Sequence, residues 1–509
     1  MLWWLWSSVI VAAAMYGGFC RWKKSVSRLA LPVVGSTNDP DLTCAMLEGY
    51  KKHPDTPFII ASDPPRVVLP MSLYNEVVYA DESNFSFRAE LYELFLGRFT
   101  HIGERAPEVI SAVRGDLTRN LNGILPLIQA EIGFGLGQAV GSGNEWKTLK
   151  AYQTVLRMVG LMSGRIFVGL PLSRDKEWLA TSINFAVDVS KSSAAMLRLN
   201  PSIRSFFLPY LPEVKHLLRE KEKAYEWMRP LVKEYVQDQH EFEQKPPQPG
   251  SKGAFISWIM KYLPQEQRTA ETIGKRQILL SFAALHTTSI TATFVIFDLL
   301  SRPQYIQPLR EEIDQVIAKD GFSKDEDGHL YLSKSSVSQL KNLDSFIKES
   351  QRMSPLNIGG SIRRARKDYT FSNGLKIPAA LQLHFLYGAY TEFLSPEYNA
   401  GTNNAPPAEF DGFRFARLRE MPGREMKHQA TATGPDSFNF GSGPHACPGR
   451  FFAIYMIKCI IIELLMHYDV ELKKDSDAEV KRPLKFVKDS AQMMPNPAVE
   501  IKIRKRMQG

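Results

Sequence analysis

The stretch FNFGSGPHACPGR, residues 438–450, crowds three glycines, two prolines and a histidine around one cysteine, and a nearly unbroken apolar run follows it to Tyr468. Glycines at 441, 443 and 449 allow positive φ and close backbone approach, and Pro448 removes a donor. The run after Arg450 predicts a helix that starts at once. A cysteine at that point lies among unpaired N–H groups at the positive end of a helix dipole, a setting that favours thiolate. The chain has only four cysteines, Cys20, Cys44, Cys447 and Cys459, so a disulfide framework does not explain Cys447. A thiolate serves as a nucleophile or as a metal ligand. His445 is a candidate base for the first role, and zinc lacks further cysteine ligands at suitable spacing.

Residues 1–20, MLWWLWSSVIVAAAMYGGFC, carry no charged side chain, and RWKK follows directly. As a helix this stretch reaches about 30 Å, enough for one hydrocarbon core. A cleaved signal peptide would place its positive charge ahead of a shorter apolar stretch, whereas here the charge comes after. Arg21, Lys23 and Lys24 predict a cytoplasmic end, and Trp3, Trp4 and Trp6 suit the opposite interface. The expected organisation is a transmembrane anchor over 1–20, a basic and Pro/Gly hinge over 21–35, and one catalytic domain over 36–509.

Helical patterns run over 105–135, 146–170, 214–240, 273–302, 303–318 and 336–353, the last with serines suited to capping. Strand signals are short, at 65–70, 368–378 and 381–386. The fold class expected is therefore mainly α with a minor β region. Residues 278–300 are long enough for a second membrane helix, but His286, Asp298 and a run of Ser and Thr would be costly in lipid, which favours a buried central helix. The formal charge of +9 suits an acidic protein partner or an anionic membrane. Basic residues are interspersed with acidic ones and no RNA-binding or zinc-finger pattern occurs, so nucleic acid is not expected. Gly135, Gly137 and Gly141 miss the dinucleotide spacing by one residue.

Phe440-Gly441-x-Gly443-x-His445-x-Cys447-Pro448-Gly449 resembles the haem-binding loop of the cytochrome P450 monooxygenases, position for position. The resemblance runs from about residue 30 to the end of the chain. It implies one α-helical domain with a small β region, haem b as cofactor, and Cys447 as the axial thiolate of the haem iron, whose electron donation favours O–O cleavage. It further implies that Phe440 packs beside the sulfur, that Gly441 and Gly449 shape the loop, and that His445 reaches a haem propionate. A core phenylalanine and a surface histidine are the competing roles. Glu349-x-x-Arg352 and the Arg414 of FDGFRF match the family's ion-pair network beneath that loop. AALHTT, 283–288, resembles its oxygen-binding segment, with Ala283 and Ala284 at the small positions and Thr287 at the hydroxyl. His286 stands where the family has a carboxylate, and it titrates in a range that permits proton relay. A threonine bonding back to its own helix is the competing role for Thr287. Arg363, with Arg364 as competitor, and Arg114 are the propionate partners implied.

The implied reaction inserts one atom of dioxygen into an apolar small molecule, with electrons from NADPH-cytochrome P450 reductase and cytochrome b5 as a further donor. A single-pass protein of the endoplasmic reticulum membrane is expected. Substrate-facing candidates are Phe95 to Ile102, the end of 197–207, Leu356 to Ser361, and Met493 with Met494. HTTS and FDGFRF resemble fungal enzymes of terpenoid secondary metabolism, including those that tailor indole diterpenes. A haem-thiolate isomerase or dehydratase would keep Cys447 and Glu349 without needing a reductase, and a thiol hydrolase would use Cys447 as nucleophile.

Overall fold

The structure is a computed structural model. It describes residues 29–506 except 37–41, 63, 200, 238–246, 326–327, 329, 358, 387–404, 435–436, 474–480 and 489–491. The expected anchor over 1–20 and most of the hinge after it lie outside the described residues.

A buried helix, Ala270–Leu300, organises the whole chain. Thr269 caps its start by accepting the Thr272 N–H at 3.2 Å. The run of hydroxyls that made this helix ambiguous is satisfied internally: Ser289, Thr291 and Thr293 donate to carbonyls four residues earlier, at 2.6, 3.0 and 2.7 Å. Asp298 near its end is fully buried. Its carboxylate accepts from Arg302 at 2.8 Å, from Ser350 at 2.7 Å and from Arg482 at 2.5 Å. Such partners make a buried charge tolerable. Among the described residues this helix and Leu121–Val140 are both long and apolar enough to cross a membrane. Ala270–Leu300 instead sits in the core, packed on Ala151–Phe167, Lys176–Leu197, Pro212–Gln237 and Lys341–Met353.

The pattern over 105–135 resolves into helix Pro107–Ser111, a π turn Ala112–Leu117 and helix Leu121–Val140. Gly135 and Gly137 lie inside that last helix and Gly141 ends it, so they cradle no phosphate. The single helix expected over 336–353 breaks at Leu340 into Lys334–Gln339 and Lys341–Met353. The Glu312 carboxylate causes the break, accepting the N–H groups of Asn342 and Leu343 at 2.7 and 3.0 Å and so capping a new helix there. Ser333 caps the shorter piece.

The minor β region is a six-stranded sheet in the order Val33–Val34, Phe58–Ile60, Arg66–Leu69, Gln382–Leu386, Gly359–Ala365, Phe85–Ser86. Strand Gly359–Ala365 escaped the sequence pattern because glycine and three basic or polar residues hide its alternation. A smaller sheet joins Tyr468–Leu472, Glu500–Lys505 and Lys147–Lys150.

Candidate active site

Cys447 precedes helix Arg450–His467 directly, and its N–H donates to the Phe440 carbonyl at 2.8 Å, closing the loop. Gly441 and Gly443 have φ of +64° and +61°, which side chains rarely adopt. A Cβ at Gly443 would also press on Val78 at 3.0 Å and Tyr79 at 3.1 Å. The Ser442 hydroxyl bonds the Tyr74 hydroxyl, tying the loop to the large sheet's side of the molecule. Burial pushes the Cys447 thiol up, against the Gly449 and Arg450 amides and the Arg450 guanidinium, which pull it down. The helix start therefore does not by itself yield the thiolate expected from sequence. Thiolate at this sulfur would call for a cation bound there.

Beside the loop stands an excess of positive charge. Arg363 is 3% exposed, and its Nε has no hydrogen-bond partner. Burial lowers its pKa to about 10, with Glu82 and Tyr74 acting the other way. His445 is lowered by burial first and then by Arg363, and its Nε2 lies 3.3 Å from Glu82. Arg364, one residue on along the strand, is committed elsewhere: it donates to the buried Glu90 at 3.0 Å. Arg114 sits on the exposed side of the π turn, close enough to Arg450 to disfavour its charge.

Glu349 accepts from Arg352 Nε and Nη2 at 2.7 Å each, from Arg414 Nε at 3.2 Å and from the Asp411 N–H at 2.9 Å. All three side chains are at most 3% exposed. The guanidiniums reach on to carbonyls: Arg352 to Pro407 at 2.8 Å and Arg414 to Ala405 at 2.7 Å. Asp344, on the same helix as Glu349, binds Lys458 at 2.8 Å, Arg419 at 3.2 Å and the Ala430 N–H at 2.9 Å. Burial would raise its carboxyl, but Lys458 and these hydrogen bonds together hold it below the usual carboxylate range. A depressed folded pKa gives stability that is present above the unfolded value, near pH 4, and is lost as pH falls through the folded value. Asp344→Asn should therefore lower the urea midpoint at pH 7, and the difference from the unsubstituted protein should shrink as the pH falls below about 4. A constant difference would remove the charge from the account.

Arg450–His467, the helix that follows the loop, packs on the central helix. Ala283 is exposed there and Ala284 and Thr287 are half-buried, while Leu280, Ser281, Leu285, Thr288 and Ser289 are buried, so 283, 284 and 287 share the open face. The Thr287 hydroxyl donates to the Ala283 carbonyl at 2.7 Å. His286 points elsewhere: Nδ1 lies 3.0 Å from the Tyr152 hydroxyl and Nε2 2.9 Å from the Ile183 carbonyl. Three of the segments expected to face substrate, 95–102, 356–361 and 493–494, pack with residues of this helix. Phe95 meets Phe282 edge to face at 5.0 Å, Ile102 packs with Phe185 and Ile278, and the Met493 N–H bonds the Leu356 carbonyl at 2.9 Å. The end of 197–207 does not join them, since Phe206 and Phe207 are 69% and 45% exposed.

The family model described as Cytochrome P450 matches residues 136–498. The chain belongs to the cytochrome P450 family. It is 37% identical over 491 residues to cytochrome P450 monooxygenase ascG of Acremonium egyptiacum, covering 94% of this chain and 92% of that protein. It is 39% identical to cytochrome P450 monooygenase 3 of Gibberella fujikuroi, covering 89% of this chain and 87% of that one. It is 35% identical to cytochrome P450 monooxygenase gliF of Aspergillus fumigatus, covering 88% and 87%. The retinoic acid bound cyanobacterial CYP120A1 shares the fold, with a TM-score of 0.63 at 17% identity over 94% of this chain and all of that one. This P450 is thus a monooxygenase of fungal type, and its cofactor is haem with cysteine thiolate ligation.

The residues present fit that group. An orphaned buried Arg363 Nε beside His445, and a second cationic pair at Arg114 and Arg450, suit a porphyrin's two carboxylates. A cysteine sulfur at a helix start, on a glycine-shaped loop, suits iron. Sequence reasoning missed Tyr152, Asp298 as an anchor, and Arg482. A tyrosine two residues into a helix carries no local mark of a partner 134 residues away.

Proposed function

We propose that this P450 is anchored by residues 1–20 in the endoplasmic reticulum membrane, with 36–509 forming one catalytic domain on the cytoplasmic side. It oxidises an apolar small molecule, a terpenoid or indole-diterpene intermediate of fungal secondary metabolism. Electrons come from NADPH-cytochrome P450 reductase, with cytochrome b5 as a second donor. The observation that carries the site assignment is Cys447, seated between positive-φ glycines and a helix start, beside a buried arginine whose Nε lacks a partner.

Haem, when bound, would supply the oxygen chemistry, and the Cys447 sulfur would hold its iron. Phe440 is half-buried against the main core and shields the sulfur, while Gly441 and Gly449 keep the loop low. His445, Arg363 and Arg114 would hold the haem carboxylates. Glu349, Arg352 and Arg414 keep residues 405–414 pinned to helix Lys341–Met353. Ala283 and Ala284 leave room on the open face, and Thr287 holds a proton at Oγ1 once its bond to the Ala283 carbonyl is released. The wall is apolar and aromatic, with Phe95, Phe282, Phe185 and Met493, which supports an apolar substrate. Arginines at 114 and 450 give the loop side a basic character that suits an acidic reductase.

Two experiments test this. Purified holoenzyme titrated with a panel of terpenoids and with fatty acids of equal size should show substrate-induced spin shifts with the terpenoids. Shifts with fatty acids alone would overturn the substrate class. Thr287→Ala should keep haem and the red-shifted carbon monoxide band while raising the peroxide released per NADPH oxidised. Unchanged coupling of NADPH to product would remove Thr287 from proton delivery.

A further inference from the structure

Three helices meet at one imidazole. His286 lies on Ala270–Leu300, Tyr152 on Ala151–Phe167, and Ile183 on Lys176–Leu197. A carbonyl only accepts, so the 2.9 Å contact to Ile183 puts the proton on Nε2. Nδ1 then presents a lone pair, and the Tyr152 hydroxyl donates to it at 3.0 Å. Tyr152 is 7% exposed, and burial pushes its phenol well above the ordinary value, so it keeps its proton.

A second feature marks the same junction. A Cβ at Gly160, on the Tyr152 helix, would lie 2.6 Å from Leu179, 3.4 Å from Leu285 and 3.5 Å from Ile183. Leu179 and Ile183 belong to one neighbouring helix and Leu285 to the other. The first contact is to the end of the Leu179 side chain and the other two are ordinary packing distances, so the three helices come close here, and the histidine bridges them at the same junction.

His286 and Thr287 are adjacent in sequence, but successive helical side chains point about 100° apart. The Thr287 hydroxyl bonds its own helix at Ala283. To pass a proton to the Thr287 face, His286 would have to give up both bonds. We infer that His286 is a positioning residue that latches helix Lys176–Leu197 to the central helix with Tyr152 as its second arm, and so fixes the turn that presents Thr287. The latched helix carries Phe185, which packs with Ile102 and Ile278, so the latch ties one wall of the substrate site to the oxygen-side turn. The inference leans on the monooxygenase assignment only for what Thr287 does.

Hydrogen–deuterium exchange on the full haem-loaded chain tests it, read on peptides covering 179–190. Glutamine offers one donor and one acceptor at similar reach but does not titrate. His286→Gln should therefore exchange within about twofold of the unsubstituted protein, whereas His286→Ala should exchange roughly five- to thirtyfold faster, one to two lost hydrogen bonds' worth. Tyr152→Phe should exchange about fivefold faster, and it keeps the test decisive if the alanine variant does not fold. Equal exchange in the glutamine and alanine variants, or unchanged exchange in alanine or Tyr152→Phe, overturns the latch. Peroxide released per NADPH, with the reductase present, gives a second readout. A latch predicts that glutamine matches the unsubstituted protein, and a proton carrier predicts that glutamine is as leaky as alanine, which overturns the positioning role. Failure of the haem-thiolate assignment would be seen separately, as absence of the red-shifted carbon monoxide band from the unsubstituted protein.

Discussion

Replacing Cys447 by serine should leave a folded protein whose reduced carbon monoxide complex has lost the red-shifted Soret band, with turnover at background. The loop does not depend on sulfur for its shape. Its closure rests on the Cys447 N–H to the Phe440 carbonyl at 2.8 Å and on glycines at 441 and 443 with positive φ, and a serine keeps all of these. What serine cannot supply is the soft anionic ligand. A thiol already raised by burial becomes thiolate once a cation meets it, whereas an alcohol starts from a far higher pKa and stays neutral. Haem content by pyridine haemochrome, the carbon monoxide difference spectrum and a circular dichroism melt separate loss of the ligand from loss of the fold. A band that survived in Cys447→Ser would move the axial ligand to another residue and take the catalytic assignment with it.

What could be read from the sequence follows from how local each feature is. The cysteine loop and its helix are contiguous, so glycine, proline and apolar periodicity specify them without knowledge of the rest of the chain. The central helix was legible from its length and composition, and its hydroxyls proved to be bonded within the helix. By contrast, Arg363 and Arg364 could not be told apart, because adjacent residues of a strand face opposite ways and only the partner, Glu90, shows which side is taken. The break at Leu340 was hidden because its cause, Glu312, lies on another helix. His286 was read by analogy with the carboxylate it replaces. Its actual neighbours come from two helices more than 100 residues earlier.

Glu349→Gln should cost about 3–5 kcal/mol of stability, the range for removing one partner of a buried ion pair. Glutamine fills nearly the same space, so no cavity confuses the result. It leaves Arg352 and Arg414, 3% and 0% exposed, without a counter-charge. Their remaining bonds to the carbonyls of Pro407, Ala405 and Glu409 cannot neutralise two guanidiniums in a region that water does not reach. Arg352→Lys should fail for a different reason, since an ammonium cannot make the paired 2.7 Å bonds to both Glu349 oxygens and also reach Pro407. Among its bonds to the helix of Glu349, the segment 405–419 makes ion pairs through Arg414 on Glu349 and Arg419 on Asp344, and Asp344 in turn holds Lys458 on the helix that starts at the cysteine loop. Loosening the Glu349 pair should therefore weaken haem retention as well as stability. Urea unfolding of the holoenzyme, followed by haem absorbance and by circular dichroism, reads both. A change below about 1 kcal/mol, the range of exposed pairs, would mean that the network is solvated in solution and that the cysteine loop does not depend on it.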